Sequence, residues 1–302
     1  MQIFKKRFFI LLIFLLITIC SSLFFDVYQK QKESNAIVIG SKNCTENQIL
    51  SEIIASLLEK NTNLKVKRKF NLEGTLICFE ALKSKDIDLY SEYSGTALFS
   101  ILKQNTFDEK NSFAYLKKIF LEKFNIEWLD PFGFENRYVL LMQKQKCDKL
   151  KIFTFSNLKD YIESHNLKIA LDPEFSIREE ISALSSVYKL NLKHEIIDQS
   201  LLYFSLNSDV VDVTNGFSTD SKIKKYDLQI LKDNKNAWPT YIAAPIVRYE
   251  VLEKYPQIQK ELKKLNGKIT DEKIKKLIYL ADENKQKIYD IVNEFLIEEK
   301  II

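Results

Sequence analysis

Apolar positions over residues 36–103 switch between two periods, and the switching predicts strands that feed helices. Residues 36–40 (Ala-Ile-Val-Ile-Gly) form a short β-branched run closed by glycine, the pattern of a buried strand. Residues 41–45 turn, and Thr45 with Gln48 three positions on makes a capping-box pattern. Ile49, Leu50, Ile53, Ile54, Leu57 and Leu58 then recur at helical spacing, giving one apolar stripe up to Lys60. Residues 66–70 are a second strand, 71–75 a turn, and a helix runs through Phe79 and Leu82. At residues 86–96 Ile87 and Leu89 alternate with Asp86 and Asp88, the pattern breaks at Ser94-Gly95, and Thr96 opens a helical run over 97–102. This alternation predicts an α/β fold with a largely parallel sheet, its loops gathered at the strand C-terminal ends. Lys42, Gly74-Thr75 and Tyr93 to Thr96 all fall on those ends and should meet in one crevice.

The second half repeats the scheme. A charged connector and an amphipathic helix occupy 107–127, and residues 128–134 form an aromatic turn. Residues 137–142 are a strongly apolar strand carrying Tyr138, followed by a polar, Lys-rich segment to 151 where the first passage between lobes is expected. Helix (157–161), strand (168–171), loop into helix (172–180), strand (195–197), helix (201–206) and strand (210–213) follow. Residues 215–220 then place an aromatic and hydroxyls at a strand end, as residues 93–96 do. A second passage is expected at the aromatic turn 238–241, then a strand over 242–247 and helices to 302 broken at Pro256 and Gly267. The expected organisation is a targeting segment at 1–25, a tether at 26–35, a first lobe at 36–139, a second at 140–241, and a return to the first at 242–302. Two lobes, two crossings and a cleft between them follow.

The stretch 86–96 carries the most suggestive chemistry. A strand that stops and feeds a helix gathers backbone N–H groups and a hydroxyl at one spot, which suits an anion. Tyr90 and Tyr93 stand beside it, and π-faces next to an anion site suit a small zwitterion. Taken alone, the stretch reads more readily as edge-of-core aromatics with Gly95 as a turn.

Composition narrows the classes. The 302 residues are 46% hydrophobic and 28% charged, enough for one large domain or two lobes with real cores. Three of the net +4 charges come from Lys5, Lys6 and Arg7, so the body is nearly neutral, which argues against nucleic acid as a partner. Those three residues precede an apolar run to Phe25, the pattern of a secretory signal or an uncleaved N-terminal anchor. Cys20 invites lipidation, although Ile19 stands where a small residue is usual. Either way the body is exported, to the periplasm or the outer face of the cytoplasmic membrane. Cys44, Cys78 and Cys147 form no framework, and whether Cys44 and Cys78 pair stays open. His165 and His194 have no ligands at metal spacing, and no phosphate loop or nucleophile motif occurs. No metal and no cofactor are expected. Asp88, Glu92 and Asp220 read as solvated or as loop anchors rather than as an acid–base pair.

Several segments carry a resemblance: 40–46 (Gly-Ser-Lys-Asn-Cys-Thr-Glu) with 48–54, 79–83, 88–96 (Asp-Leu-Tyr-Ser-Glu-Tyr-Ser-Gly-Thr), Arg178, 217–220 and 241–245 (Tyr-Ile-Ala-Ala-Pro). Together they resemble the quaternary-ammonium solute-binding proteins of osmoprotectant ABC importers, from about Ile37 to Val247. The resemblance implies a two-lobed type II periplasmic-binding fold that closes on glycine betaine, choline, carnitine or proline betaine. It implies a cation cage of Tyr93, Tyr138, Phe217 and Tyr241, with Lys42, Thr96 and Arg178 at the carboxylate or polar end and Asn136 and Thr75 in support. It implies a monomer that partners an ABC permease and the membrane, and no enzyme.

The physics agrees. A quaternary ammonium has no N–H, so π-faces at roughly 0.5–2 kcal/mol each must select it. This sequence departs from the pattern at Phe217, where Tyr is frequent, at Ser91 and Ser94, at Cys44, and at Glu73, whose charge would tilt preference towards choline. The alternatives are an anchored sensor or binding module for another small cation or amino acid on the same fold, and an exported enzyme using the acids.

Overall fold

The computed structural model describes residues 36–104 and 112–302; the targeting segment, the tether and Cys20 lie outside the described residues. Ten strands form two five-stranded sheets. The first takes β1 (Ala36–Gly40), β2 (Lys65–Lys69), β3 (Leu89–Tyr93), β4 (Ile126–Trp128) and β10 (Ala243–Arg248), in the order β2-β1-β3-β10-β4. The second takes β5 (Tyr138–Gln143), β6 (Ile169–Leu171), β7 (Glu195–Ile196), β8 (Val213–Phe217) and β9 (Leu228–Leu231), in the order β7-β6-β8-β5-β9.

Neither sheet is largely parallel, which corrects the sequence expectation. β1 pairs β2 and β3 in parallel, and β6 pairs β7 and β8 in parallel, as strand–helix–strand units require. The strands arriving through the crossings run the other way: β10 lies antiparallel to β3 and β4, and β5 antiparallel to β8 and β9. β5 joins the second sheet from its first residue, so the first crossing lies at 129–137, ahead of the expected boundary at 139. Short β4 and edge strand β9 went unread in the sequence, and the strand expected at 210–213 sits at Val213–Phe217.

The helix Thr45–Asn61 is central to the first lobe. It packs on the sheet and is covered by the C-terminal helices Gln257–Leu262, Asp271–Asp282 and Ile288–Glu298. Burial therefore extends beyond the apolar stripe to Asn47, Ser51, Glu52 and Ser56. These polar groups are paired: Ser51 donates to the Gly40 carbonyl at 2.6 Å, and Arg68 reaches Glu52 at 2.8 Å. The helix starts one position earlier than the capping box implies. Cys44 is the N-cap residue, without a side-chain cap, while the Thr45 hydroxyl donates to Asp282 at 2.7 Å. Cys44, Cys78 and Cys147 are free thiols.

The two crossings run beside each other as one ribbon. Glu135 bridges Ile242 antiparallel, Asn136 N–H donates to the Tyr241 carbonyl at 3.1 Å, and Phe132 N–H to the Ala243 carbonyl at 3.0 Å. Ser94 ties this ribbon to the end of β3, donating to the Thr240 carbonyl at 2.8 Å and accepting from Ile242 N–H at 2.9 Å. Among the described residues, no helix is long and apolar enough to cross a membrane.

Candidate functional site

A cavity of about 260 Å³ lies between the sheets, lined from both. All nine residues singled out in the sequence line it: Lys42, Thr75, Tyr93, Thr96, Asn136, Tyr138, Arg178, Phe217 and Tyr241. β1 and β3 present Lys42 and Tyr93 at their C-terminal ends because the connections to the following helices gather there. Cross-strand pairing of Tyr138 with Phe217, at the start of β5 and the end of β8, sets two rings side by side.

Three of the four aromatics meet around Tyr138. Tyr138 and Phe217 have ring centroids 4.7 Å apart, and Tyr138 and Tyr241 stand edge to face at 6.5 Å. Phe175, absent from the sequence reading, stacks on Tyr138 at 4.7 Å. Tyr93 carries the Lys42 ammonium over its ring at 5.2 Å. Tyr241 comes close to the chain at Gly95, where an added Cβ would sit 2.7 Å from its ring. Tyr90 is wholly buried outside the cavity and donates to Glu92 at 2.9 Å, a core role.

Both basic groups are already paired. The Lys42 ammonium meets Glu92 at 2.6 Å and donates to the Thr75 hydroxyl at 2.9 Å. The Arg178 guanidinium donates to Glu180 at 3.0 and 2.8 Å and to Glu174 at 3.1 Å, and stacks 4.6 Å from the Tyr138 centroid. The same Glu180 oxygen accepts the Tyr241 hydroxyl. The strand end after β3 offers fewer free amides than expected. Tyr93 N–H donates to Glu92 at 2.8 Å, and Ser94 N–H to the Ile242 carbonyl at 3.0 Å. Asp88 and Glu92 act as buried anchors, Asp88 for Val38 N–H and Arg248, rather than as solvated charges.

Acids outnumber bases around the cavity. Lys42 and Arg178 face Glu46, Glu174, Asp220 and Asp282. Glu46 is 5% exposed. One of its oxygens accepts the Tyr93 hydroxyl at 2.5 Å and the Asn136 amide at 2.8 Å; the other accepts the Thr219 hydroxyl at 2.6 Å. Burial, the largest influence, pushes its carboxyl pKa up, against the hydrogen bonds. Burial also holds the Tyr93, Tyr138 and Tyr241 phenols well above their usual range, so they are neutral donors near pH 7. Glu46, Glu174, Glu180 and Thr219 were missed as site residues. Glu46 and Thr219 sit inside the quoted segments 40–46 and 217–220, but a carboxylate's burial is not written in its local sequence. Among the described residues, no group of three or more His, Cys, Asp or Glu is placed to hold a metal ion.

This fold recurs in known proteins. The structure aligns with a glycine betaine/carnitine/choline ABC transporter crystal structure at 27% identity and TM-score 0.76, covering 88% of this chain and 99% of that one. It shares its fold with lactococcal OpuAC in its closed-liganded conformation complexed with glycine betaine, at TM-score 0.61 and 14% identity, covering 88% and 96%. In sequence it is 33% identical to the carnitine transport binding protein OpuCC of Listeria monocytogenes, over 97% of this chain and 96% of that protein. It is 35% identical to the ergothioneine transport permease/ergothioneine binding protein EgtU of Helicobacter pylori, over 95% of this chain and 51% of that protein, so it spans about half of that relative's length. Residues 35–298 match the family described as the substrate-binding domain of the ABC-type glycine betaine transport system. The chain belongs to that family of transport substrate-binding domains.

Proposed function

We propose that this protein captures a small quaternary ammonium solute outside the cytoplasm and hands it to an ABC importer permease. The observation that carries this reading is the set of aromatic side chains, Tyr93, Tyr138, Phe217 and Tyr241, drawn from both lobes onto one small cavity with an excess of acids. π-Faces attract a cation that cannot donate hydrogen bonds, at roughly 0.5–2 kcal/mol per contact. A few such contacts support roughly micromolar affinity once association costs are met. Lys42, Thr96 and Arg178, supported by Thr75 and Asn136, are the groups for a carboxylate or polar end. Because Lys42 and Arg178 already hold Glu92, Glu174 and Glu180, a ligand carboxylate shares their hydrogen-bonding capacity with protein acids.

Relatives support the ligand class. The names and titles above refer to glycine betaine, carnitine, choline and ergothioneine, and one relative's name joins a permease to a binding protein. The lobes, 36–139 with 242–302 and 140–241 to within the shift at β5, close as units around the ligand, and the protein works as a monomer without turnover. The N-terminal segment attaches it to the membrane through residues 8–25 or a lipid on Cys20.

Calorimetry against glycine betaine, choline, carnitine, proline betaine and proline tests the reading. Saturable micromolar binding of at least one quaternary amine, with the titrant recovered unchanged, is expected. Absence of heat with every quaternary amine would refute it.

A further inference from the structure

Glu46 is the buried group of this cleft that neither the aromatic rings nor the basic side chains explain. It lines the cavity and is 5% exposed, yet its three hydrogen-bond partners, Tyr93, Asn136 and Thr219, are all neutral. Among the described residues, no ion pair reaches it; the nearby bases are engaged elsewhere, Lys42 with Glu92 and Arg178 with Glu180 and Glu174. A buried carboxylate without a cation is costly unless something compensates its charge.

We propose that Glu46 is a ligand-recognition residue, whose missing counter-ion is the ligand's own cation. This rests on the quaternary-ammonium reading of the cleft. Two effects act together. The carboxylate places a full negative charge in a dry cavity, where it acts on a cation far more strongly than in water. It also accepts the Tyr93 hydroxyl at 2.5 Å, which pushes electron density into that ring and strengthens the pull of its π-face on a cation. Tyr241 is backed in the same way by Glu180, but Arg178 neutralises that carboxylate, so Glu46 supplies the uncompensated charge.

The arrangement has a signature that a purely structural hydrogen-bond hub lacks. Burial outweighs the three hydrogen bonds and raises the Glu46 pKa, so the charged form lowers stability as pH rises through that pKa. Removing the charge should therefore weaken ligand without weakening the ligand-free fold.

The test measures affinity and melting temperature at pH 7 for the full-length protein and its Glu46→Gln and Glu52→Gln variants, with glycine betaine, choline, carnitine and proline betaine as titrants. Glu46→Gln should bind the preferred titrant at least tenfold more weakly while its ligand-free melting temperature stays level or rises. Glu52→Gln, which removes a buried carboxylate of the same helix that pairs with Arg68 away from the cavity, should stay within threefold of the parent affinity. Three results would overturn the proposal: Glu46→Gln affinity within twofold of the parent, a fall of several degrees in its melting temperature alongside the lost affinity, or an equal loss of affinity in Glu52→Gln. If the parent protein binds none of the four titrants, it is the quaternary-ammonium reading that fails, and the proposal goes with it.

Discussion

Tyr93 shows how much one side chain in this cleft does. Its ring lines the cavity beneath the Lys42 ammonium, and its hydroxyl reaches Glu46, which in turn holds Thr219 of the other lobe. Tyr93→Ala removes a π-face and the donor together, and a loss of at least tenfold in ligand affinity is expected by calorimetry; unchanged affinity would refute its place in the cage. Gly95 gives a sharper test because it touches no ligand group in this reading. A Cβ there would lie 2.7–2.9 Å from three atoms of the Tyr241 ring, closer than packed carbons allow. Tyr241 is 1% exposed and fixed by Glu180, so it cannot simply swing away. Gly95→Ala should therefore displace a cage wall and weaken binding severalfold, with secondary structure intact by circular dichroism. Wild-type affinity in that variant would mean that the Tyr241 position does not matter. At this scale the sequence was legible for residue types at strand ends. It was not legible for pairing: Lys42 and Arg178 looked like free cations, but residues 50 and 2 positions away, Glu92 and Glu180, neutralise them.

Strand–helix alternation made most elements readable, and the errors have two causes, long-range packing and strands too short to show a period. The helix Thr45–Asn61 was expected from its stripe, yet three C-terminal helices bury its other faces, which only long-range packing decides. β4 has three residues and β9 four, too short for periodicity to register. The sheets were expected to be largely parallel because local alternation says nothing about strands that arrive from another lobe. The crossing ribbon depends on one backbone position. Gly133 has φ +119°, a conformation that side chains resist, and an added Cβ would meet the Gly267 backbone at 2.7 Å. Gly133→Ala should cost about 1–3 kcal/mol or more of stability, read as a lowered urea midpoint. An unchanged midpoint would show that the ribbon and the Gly267 turn can separate freely.

At the scale of the molecule, few side-chain links among the described residues join the lobes apart from the crossings. Thr219 reaches Glu46 at 2.6 Å inside the cleft, and Lys225, beside β9, meets Glu283, just past the helix Asp271–Asp282, at 2.5 Å. Closure of such folds is a hinge equilibrium that ligand contacts bias. Lys225→Glu would set two acids against each other across the cleft mouth. A larger radius of gyration in ligand-free solution scattering is expected, reversed by saturating ligand. An unchanged radius would mean that this pair plays no part in holding the lobes together.

The sequence by itself determined the α/β class, two series of strands and helices, and a set of cleft residues that all reach one cavity. It could do so because hydrophobic period is a local property and strand C-terminal ends gather their loops by topology. Tertiary structure decided the mixed pairing of the sheets, the meeting of Tyr138, Phe217 and Tyr241, and the ion pairs of the cleft. Each depends on groups far apart in the chain. The carboxylates that pair with Lys42 and Arg178, and the one at Glu46 that meets no base among the described residues, acquire those roles only when folding removes water from around them.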